Sequence, residues 1–280
     1  MKKNPKLFSI LITLIVSAIL GYIEIGVFKE YGWTVFLVIP FIIGFLPPYI
    51  NGKLSKISKK ESYNLSFITL GIVLIGLLIF AIEGMICIAM SLPLIALLVW
   101  LGSYIGFKAN FGKWINPTNT TIGLFIICIG SMSFDYVNEP ENLIPVRTTV
   151  IVNSNIESVW KNVVTFEKIE EPTDWIFKTG ISYPTDATIK GTGVGAIRYC
   201  NFTTGSFVEP ITTWNEPNLL QFDVKEQPIP MNEFNPFWEI HPPHLDGYFK
   251  SYKGQFKLTK TGVNKTELEG TTWYKVDITP

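Results

Sequence analysis

Histidine, cysteine and arginine are scarce in this chain: two His, three Cys and only Arg147 and Arg198 among the 23 basic residues of a 280-residue sequence. So few imidazoles leave little material for a His-rich metal centre or for histidine acid–base chemistry. Cys87 and Cys128 lie in apolar runs and Cys200 stands alone in the second half, so no disulfide can staple that half internally. Charge is sparse as well. With 16% charged and 48% hydrophobic residues the chain is too apolar for two ordinary soluble domains. The formal net charge of zero hides an asymmetry: 10 Lys face 4 Glu before Phe134, whereas 13 basic residues face 19 acidic ones from there on. An acidic second half with no basic stripe makes nucleic acid an unexpected partner.

What the first half has instead is long apolar runs. Residues 7–28, 33–50, 65–82, 85–105 and 120–137 each approach the roughly 20 residues that a bilayer requires, which predicts five transmembrane helices in an all-α membrane domain over residues 1–137. The first run is too long for a signal-peptide core and no small-residue cleavage site follows it. Lysines mark alternate loops: Lys2, Lys3 and Lys6 precede the first run, Lys53, Lys56, Lys59 and Lys60 fill the second loop, and Lys108 and Lys113 the fourth. By the positive-inside rule the N-terminus is expected in the cytoplasm. Five spans then put everything after Val137 outside it, and four would leave it inside. Glu24 reads as an interfacial carboxylate near Lys29, and Pro47-Pro48 and Pro93 read as stop and kink signals. No internal repeat suggests a transporter.

Residues 138–145, with two prolines and two glutamates, read as a linker. A β-branched strand follows over 146–153. Asn155 or Ser154 then caps a helix whose apolar face is Ile156, Val159, Trp160, Val163 and Val164. A shorter helical piece is expected around 166–177, broken by Pro172. Beyond it come short strands and turns. Residues 191–195 resemble a phosphate-binding glycine loop, but they open a strand rather than a helix and so are a turn. Residues 195–214 form a hairpin, 219–225 alternate cleanly, and two further strands lie over 247–258 and 266–278. Residues 227–244, rich in proline and aromatics, make a loop of the length used for lids and binding loops. The order is α+β.

Val159-Trp160, the Pro184 region, Gly193-x-Gly195-x-x-Arg198-x-Cys200-x-Phe202-x-x-Gly205-x-x-x-Glu209, Trp214-x-x-Pro217 and Gly270-Thr-Thr-Trp-Tyr274 together resemble the START-related, polyketide-cyclase-like (SRPBCC) superfamily. The resemblance covers residues 146–280. It implies a helix-grip domain, in which a curved antiparallel sheet wraps a long C-terminal helix around a cavity for a hydrophobic small molecule or lipid. The sequence ends at Thr279-Pro280, where such a domain would continue into that helix. The expectation is therefore a truncated grip, or one completed by a partner or a membrane surface.

Within that domain Arg198, Cys200, Glu209, Trp214, Phe222, Trp238, His244 and Trp273 are the candidate ligand contacts. Arg198 needs a partner if buried, and Glu209 is the natural one. A three-residue turn over 203–205 puts the two on opposite faces of the hairpin, and a two-residue turn puts them on the same face. Turn chemistry favours the first and the charge argument the second. Cys200 reads as a small strand residue rather than a nucleophile. Glu239, His241, His244 and Asp246 are zinc-compatible types, but the intervening Pro242-Pro243 forbids helical spacing, and neither a metal nor a cofactor is expected. Two functions from different classes follow. One is a membrane-anchored module binding a hydrophobic ligand. The other is a cyclase- or dehydratase-type enzyme using Glu209, His241 or His244 as acid or base. A third, in which the second domain gates the membrane half, has no sequence feature to test it.

Overall fold

The computed structural model describes residues 4–28, 32–110, 123, 126–131, 133, 143–242, 245 and 249–276. The chain divides into two compact units, one of residues 1–139, 233–242 and 277–280, the other of 140–232 and 243–276.

The first unit is helical. Among the described residues four helices are long and apolar enough to cross a membrane: Pro5–Phe28, Thr34–Leu54, Lys59–Ile79 and Met85–Lys108. The first is α-helical over Pro5–Gly21 (α1) and π-helical over Tyr22–Phe28, and the second is π-helical over Thr34–Val38 and α-helical over Ile39–Leu54 (α2). The third and fourth are α3 (Lys59–Ile79) and α4 (Met85–Lys108). The fifth expected span falls mostly outside the described residues, of which 126–131 are helical. Glu24, expected at an interface, is fully buried in the π-helical segment.

Helix α3 starts six residues before the apolar run because a capping box closes its N-terminus: Ser58 Oγ accepts from the Glu61 N–H, and the Glu61 carboxylate accepts from the Ser58 N–H. Helix α1 is patterned inside out. Ser9, Thr13 and Ser17 are buried while Leu7, Leu11, Ile15 and Ile19 are exposed, as suits a helix whose outer solvent is lipid.

Pro47 and Pro48 do not stop α2, which runs on to Leu54. A proline has no N–H for the carbonyl four residues earlier, so Pro48 leaves that of Gly44 without its helical partner. The Ser66 hydroxyl of α3 donates to it at 2.7 Å. Three glycines then let α2 and α4 touch backbone to backbone. A Cβ on Gly44 would lie 2.3 Å from the Val99 carbonyl oxygen, one on Gly102 2.4 Å from that of Phe41, and one on Gly106 2.4 Å from that of Phe45.

Among its described residues the second unit is a curled seven-stranded antiparallel sheet with an α-helix on it. The strands are β1 (Ile144–Val152), β2 (Pro184–Lys190), β3 (Ile197–Phe202), β4 (Gly205–Asn215), β5 (Leu219–Asp223), β6 (Phe249–Gly262) and β7 (Lys265–Val276). Their spatial order is β1-β7-β6-β5-β4-β3-β2. Ile144 and Pro145, expected in the linker, pair with Tyr274 and Trp273 and so belong to β1. The helix α5 (Ile156–Val164) is capped by Asn155, whose side chain accepts from the Ser158 N–H at 2.8 Å. Its apolar face, the one legible in the sequence, packs on Ala196, Ile211, Leu220, Phe222 and Leu258 of the sheet. The short helix expected from 166 forms only over Trp175–Thr179, as a 3-10 turn; Phe166 instead bridges to Ala187 beside β2.

Candidate functional site

The hairpin of β3 and β4 turns through two residues, Thr203 and Thr204, with Phe202 opposite Gly205. Tertiary bonds decide this register. The Thr203 N–H donates to the Tyr183 carbonyl at 3.1 Å, Thr204 Oγ1 donates to the Ile229 carbonyl at 2.7 Å, and the Thr204 and Ser182 hydroxyls lie 2.7 Å apart. Arg198 consequently stands opposite Glu209, on one face of the sheet.

That face is the one α5 covers. Arg198 is 3% exposed and Glu209 5%. An Arg198 terminal nitrogen donates to Glu209 Oε2, and its Nε donates at 3.0 Å to the carbonyl of Val164, the last residue of α5. The rings of Phe222 and Phe256 lie 5.9 and 5.7 Å from the guanidinium carbon. A guanidinium out of water is tolerable only when its donors and charge are matched. Here a carboxylate, a helix C-terminal carbonyl and two aromatic faces supply the match. Gly254, opposite Phe222 in β6, makes the ring's position possible, because a Cβ there would lie 2.5 Å from the ring.

Burial pushes the Glu209 carboxyl above the ordinary glutamate range, and the Arg198 guanidinium pulls against it. The same effect raises the Cys200 thiol, two residues along the same face, to about 11, with burial the main cause and Arg198 opposing. A thiol so held is neutral and a poor nucleophile at physiological pH.

Other candidates are spread more widely. Trp214 packs edge-on to Trp160 of α5, ring centroids 5.5 Å apart, and Phe222 belongs to the same core. Trp273 lies on the opposite face of the sheet, its ring under the Lys253 ammonium at 5.0 Å. Trp238 and His241 belong to the first unit, where His241 is exposed, and His244 lies outside the described residues. Among the described residues no three His, Cys, Asp or Glu gather as a metal site needs.

Sequence reasoning missed the open end of the covered face. Beyond α5, the residues of β1 that share the Arg198 face include Ile144, Val146 and Val150, all exposed. Phe249 and Tyr274, from β6 and β7, meet beside them with ring centroids 5.0 Å apart. Alternation in β1 was the available signal, since Val146, Thr148, Val150 and Val152 fall on one face.

No family model matches the chain, and no curated protein matches it either. Among solved structures, a protein from Nitrosospira multiformis is similar at 19% identity, covering 48% of this chain and 79% of that one, with a TM-score of 0.30. Norcoclaurine synthase from Thalictrum flavum, solved with dopamine and hydroxybenzaldehyde, is similar at 14% identity over 51% of this chain and 75% of its own, with a TM-score of 0.30.

Proposed function

We propose that this protein is a membrane-anchored binding module whose second unit takes a hydrophobic small molecule or lipid on the open part of its curved sheet. The observation that carries this reading is the half-covered face: α5 packs on one part, and Ile144, Val146, Val150 and Phe249 remain exposed beside it. A contiguous apolar surface of that kind is the usual mark of a ligand or partner site. The buried Arg198–Glu209 pair lies on the same face of the sheet, in β3 and β4, with β5, β6 and β7 between it and β1. Glu209, the carboxylate a cyclase-type reaction would use, is engaged by Arg198, so binding is the reading carried forward.

The alternation of lysine-rich and lysine-poor loops supports an N-terminus in the cytoplasm and, with five spans, a second unit outside it.

The test is purification of the full chain from its membrane, solvent extraction and mass spectrometry of what is bound, with displacement of a fluorescent fatty-acid probe as the second measurement. A co-purifying apolar compound that competes with the probe, and weaker probe binding by Val146→Lys and Val150→Lys, are the expected results. No bound compound and no probe binding would overturn the reading.

A further inference from the structure

Residues 233–238 do not form a lid. They are fastened to the turn between α3 and α4, within the first unit. The two Glu233 carboxylate oxygens accept from the N–H groups of Ile86 and Cys87 at 3.2 and 2.8 Å, and the Phe234 carbonyl accepts from that of Met85 at 2.8 Å. These are the orphan donors at the start of α4, whose N-cap, Gly84, has no side chain to satisfy them. Gly84 also provides the space, for a Cβ there would lie 2.0 Å from Glu233 Oε2. At the end of α3 the roles reverse. Asn235 Nδ2 donates to the carbonyls of Leu78 and Glu83 at 3.0 and 3.4 Å, and Trp238 Nε1 donates to that of Ile79 at 2.7 Å. One short segment thus supplies the N-terminal cap that Gly84 cannot give α4 and adds side-chain bonds to the backbone bonds that close the end of α3.

With its polar groups committed inward, the segment turns its aromatic groups outward. Phe234 is 59% exposed, Phe237 59% and Trp238 55%, and on the hairpin itself Phe80, Ile82 and Met85 are exposed too. Their depth follows from the helices. The 21 residues of α3 extend about 30 Å at ~1.5 Å per residue, close to the thickness of a hydrocarbon core, with Lys59 and Lys60 at the far end. The aromatic cluster therefore lies at the opposite edge of the same slab. A tryptophan with its N–H anchored is what that edge favours, and phenylalanine beside it adds apolar area on the lipid side.

We infer that residues 233–238 are an interfacial foot, whose Phe234, Phe237 and Trp238 side chains insert into the lipid headgroup boundary around the α3–α4 turn. The inference rests on the reading that α3 and α4 cross the bilayer. The partner is that bilayer, and the contact is apolar, because the segment holds no Lys or Arg and its Glu233 charge is spent on α4. Binding to the boundary is consequently insensitive to salt and to anionic lipid.

The test uses the full chain, with Cys87, Cys128 and Cys200 replaced by serine, in nanodiscs of zwitterionic lipid. Single spin labels are placed at Phe237→Cys, at Ile72→Cys midway along α3, and at Val263→Cys in the β6–β7 turn. Relaxation by oxygen, which enters lipid, is compared with relaxation by a water-soluble nickel chelate. The expected result is a severalfold higher oxygen-to-nickel ratio at 237 than at 263, unchanged by added salt. A label at 237 as open to nickel as that at 263, with 72 still lipid-buried, overturns the foot and leaves the spans standing. A nickel-accessible label at 72 removes the spans and the inference with them. Quenching by bromine-labelled lipids, compared between the native protein and Trp238→Phe, gives the same reading with all three cysteines in place: Trp33 and Trp100 are exposed on the helices and are quenched in both, so quenching by shallowly brominated lipid that is smaller in the variant is expected, and equal quenching in the two counts against the foot.

Discussion

Arg198 holds the last carbonyl of α5, that of Val164, at 3.0 Å while its other end meets Glu209. One side chain therefore ties α5 to the hairpin that faces it. Arg198→Met should abolish both links and leave Glu209 buried without its counter-ion, at a cost of about 3–5 kcal/mol. Replacing both partners, Arg198→Met with Glu209→Leu, should recover much of that loss. Denaturant unfolding of the full chain followed by tryptophan fluorescence measures these, with Glu209→Leu alone completing the cycle, and a loss in the double variant equal to the sum of the two single losses would show that the pair is not coupled.

The position of the Glu209 carboxyl gives a pH dependence of definite sign. Its folded-state pKa is raised above the ordinary value of 4.5 by burial. Between those two values the folded chain binds the proton more readily than the unfolded chain, so the contribution to stability is full below about pH 4.5 and is lost as pH rises through the raised value. Glu209→Gln, which stays neutral, lacks this loss. Measured against it, the wild-type protein should lose stability as the pH is taken from 4 to 8; a gap that widens in favour of the wild type would refute the assignment.

Cys200 should react slowly. With its thiol at about 11, alkylation by iodoacetamide at pH 7.5 should lag well behind that of the same peptide in denatured protein, and accelerate only as the pH approaches that value. Peptide mass spectrometry after timed quenching reads the rate directly.

Gly254→Ala should disturb the sheet more than an alanine normally does in a strand. The new methyl would meet the Phe222 ring at 2.5 Å, and that ring is held by the core and by Arg198. A destabilisation of about 1–3 kcal/mol is expected, typical of overpacking. Relief by Phe222→Leu in the same chain would identify the ring as the cause.

In the first unit Gly102→Leu should separate α2 from α4, since even a Cβ at that position lies 2.4 Å from the Phe41 carbonyl oxygen. Loss of a monodisperse peak in detergent size-exclusion chromatography is the expected outcome. Ser66→Ala removes one interhelical hydrogen bond and should be milder, about 1 kcal/mol in thermal unfolding.

How much of this was legible beforehand depends on whether the cause was local. Four of the five expected spans follow from the length of their apolar runs, and the α5 face and the alternation of β5 from periodicity, signals that survive in any context. The Arg198–Glu209 pair was foreseen as one of two registers. Local turn chemistry pointed to the other one, because the bonds that fix Thr203 and Thr204 come from Tyr183, Ser182 and Ile229, well removed in sequence. Trp238 was singled out as a ligand contact, and its donation to the Ile79 carbonyl was not foreseen. Nothing in residues 227–244 announces that Glu233 and Asn235 will cap helices some 150 positions earlier. The only trace is negative: α4 begins after Gly84, a residue with no side chain to cap it.

The hydroxyl that Ser66 gives to Gly44 also bears on how the chain enters its membrane. The two residues are 22 positions apart, so α2 emerges from the ribosome carrying a carbonyl that no residue of its own can satisfy. Until the next segment follows, that polar atom favours the aqueous channel of the insertion machinery over lipid. Helices α2 and α3 should therefore partition together, as a hairpin, and a nascent chain halted between them should remain loosely inserted and extractable by alkali.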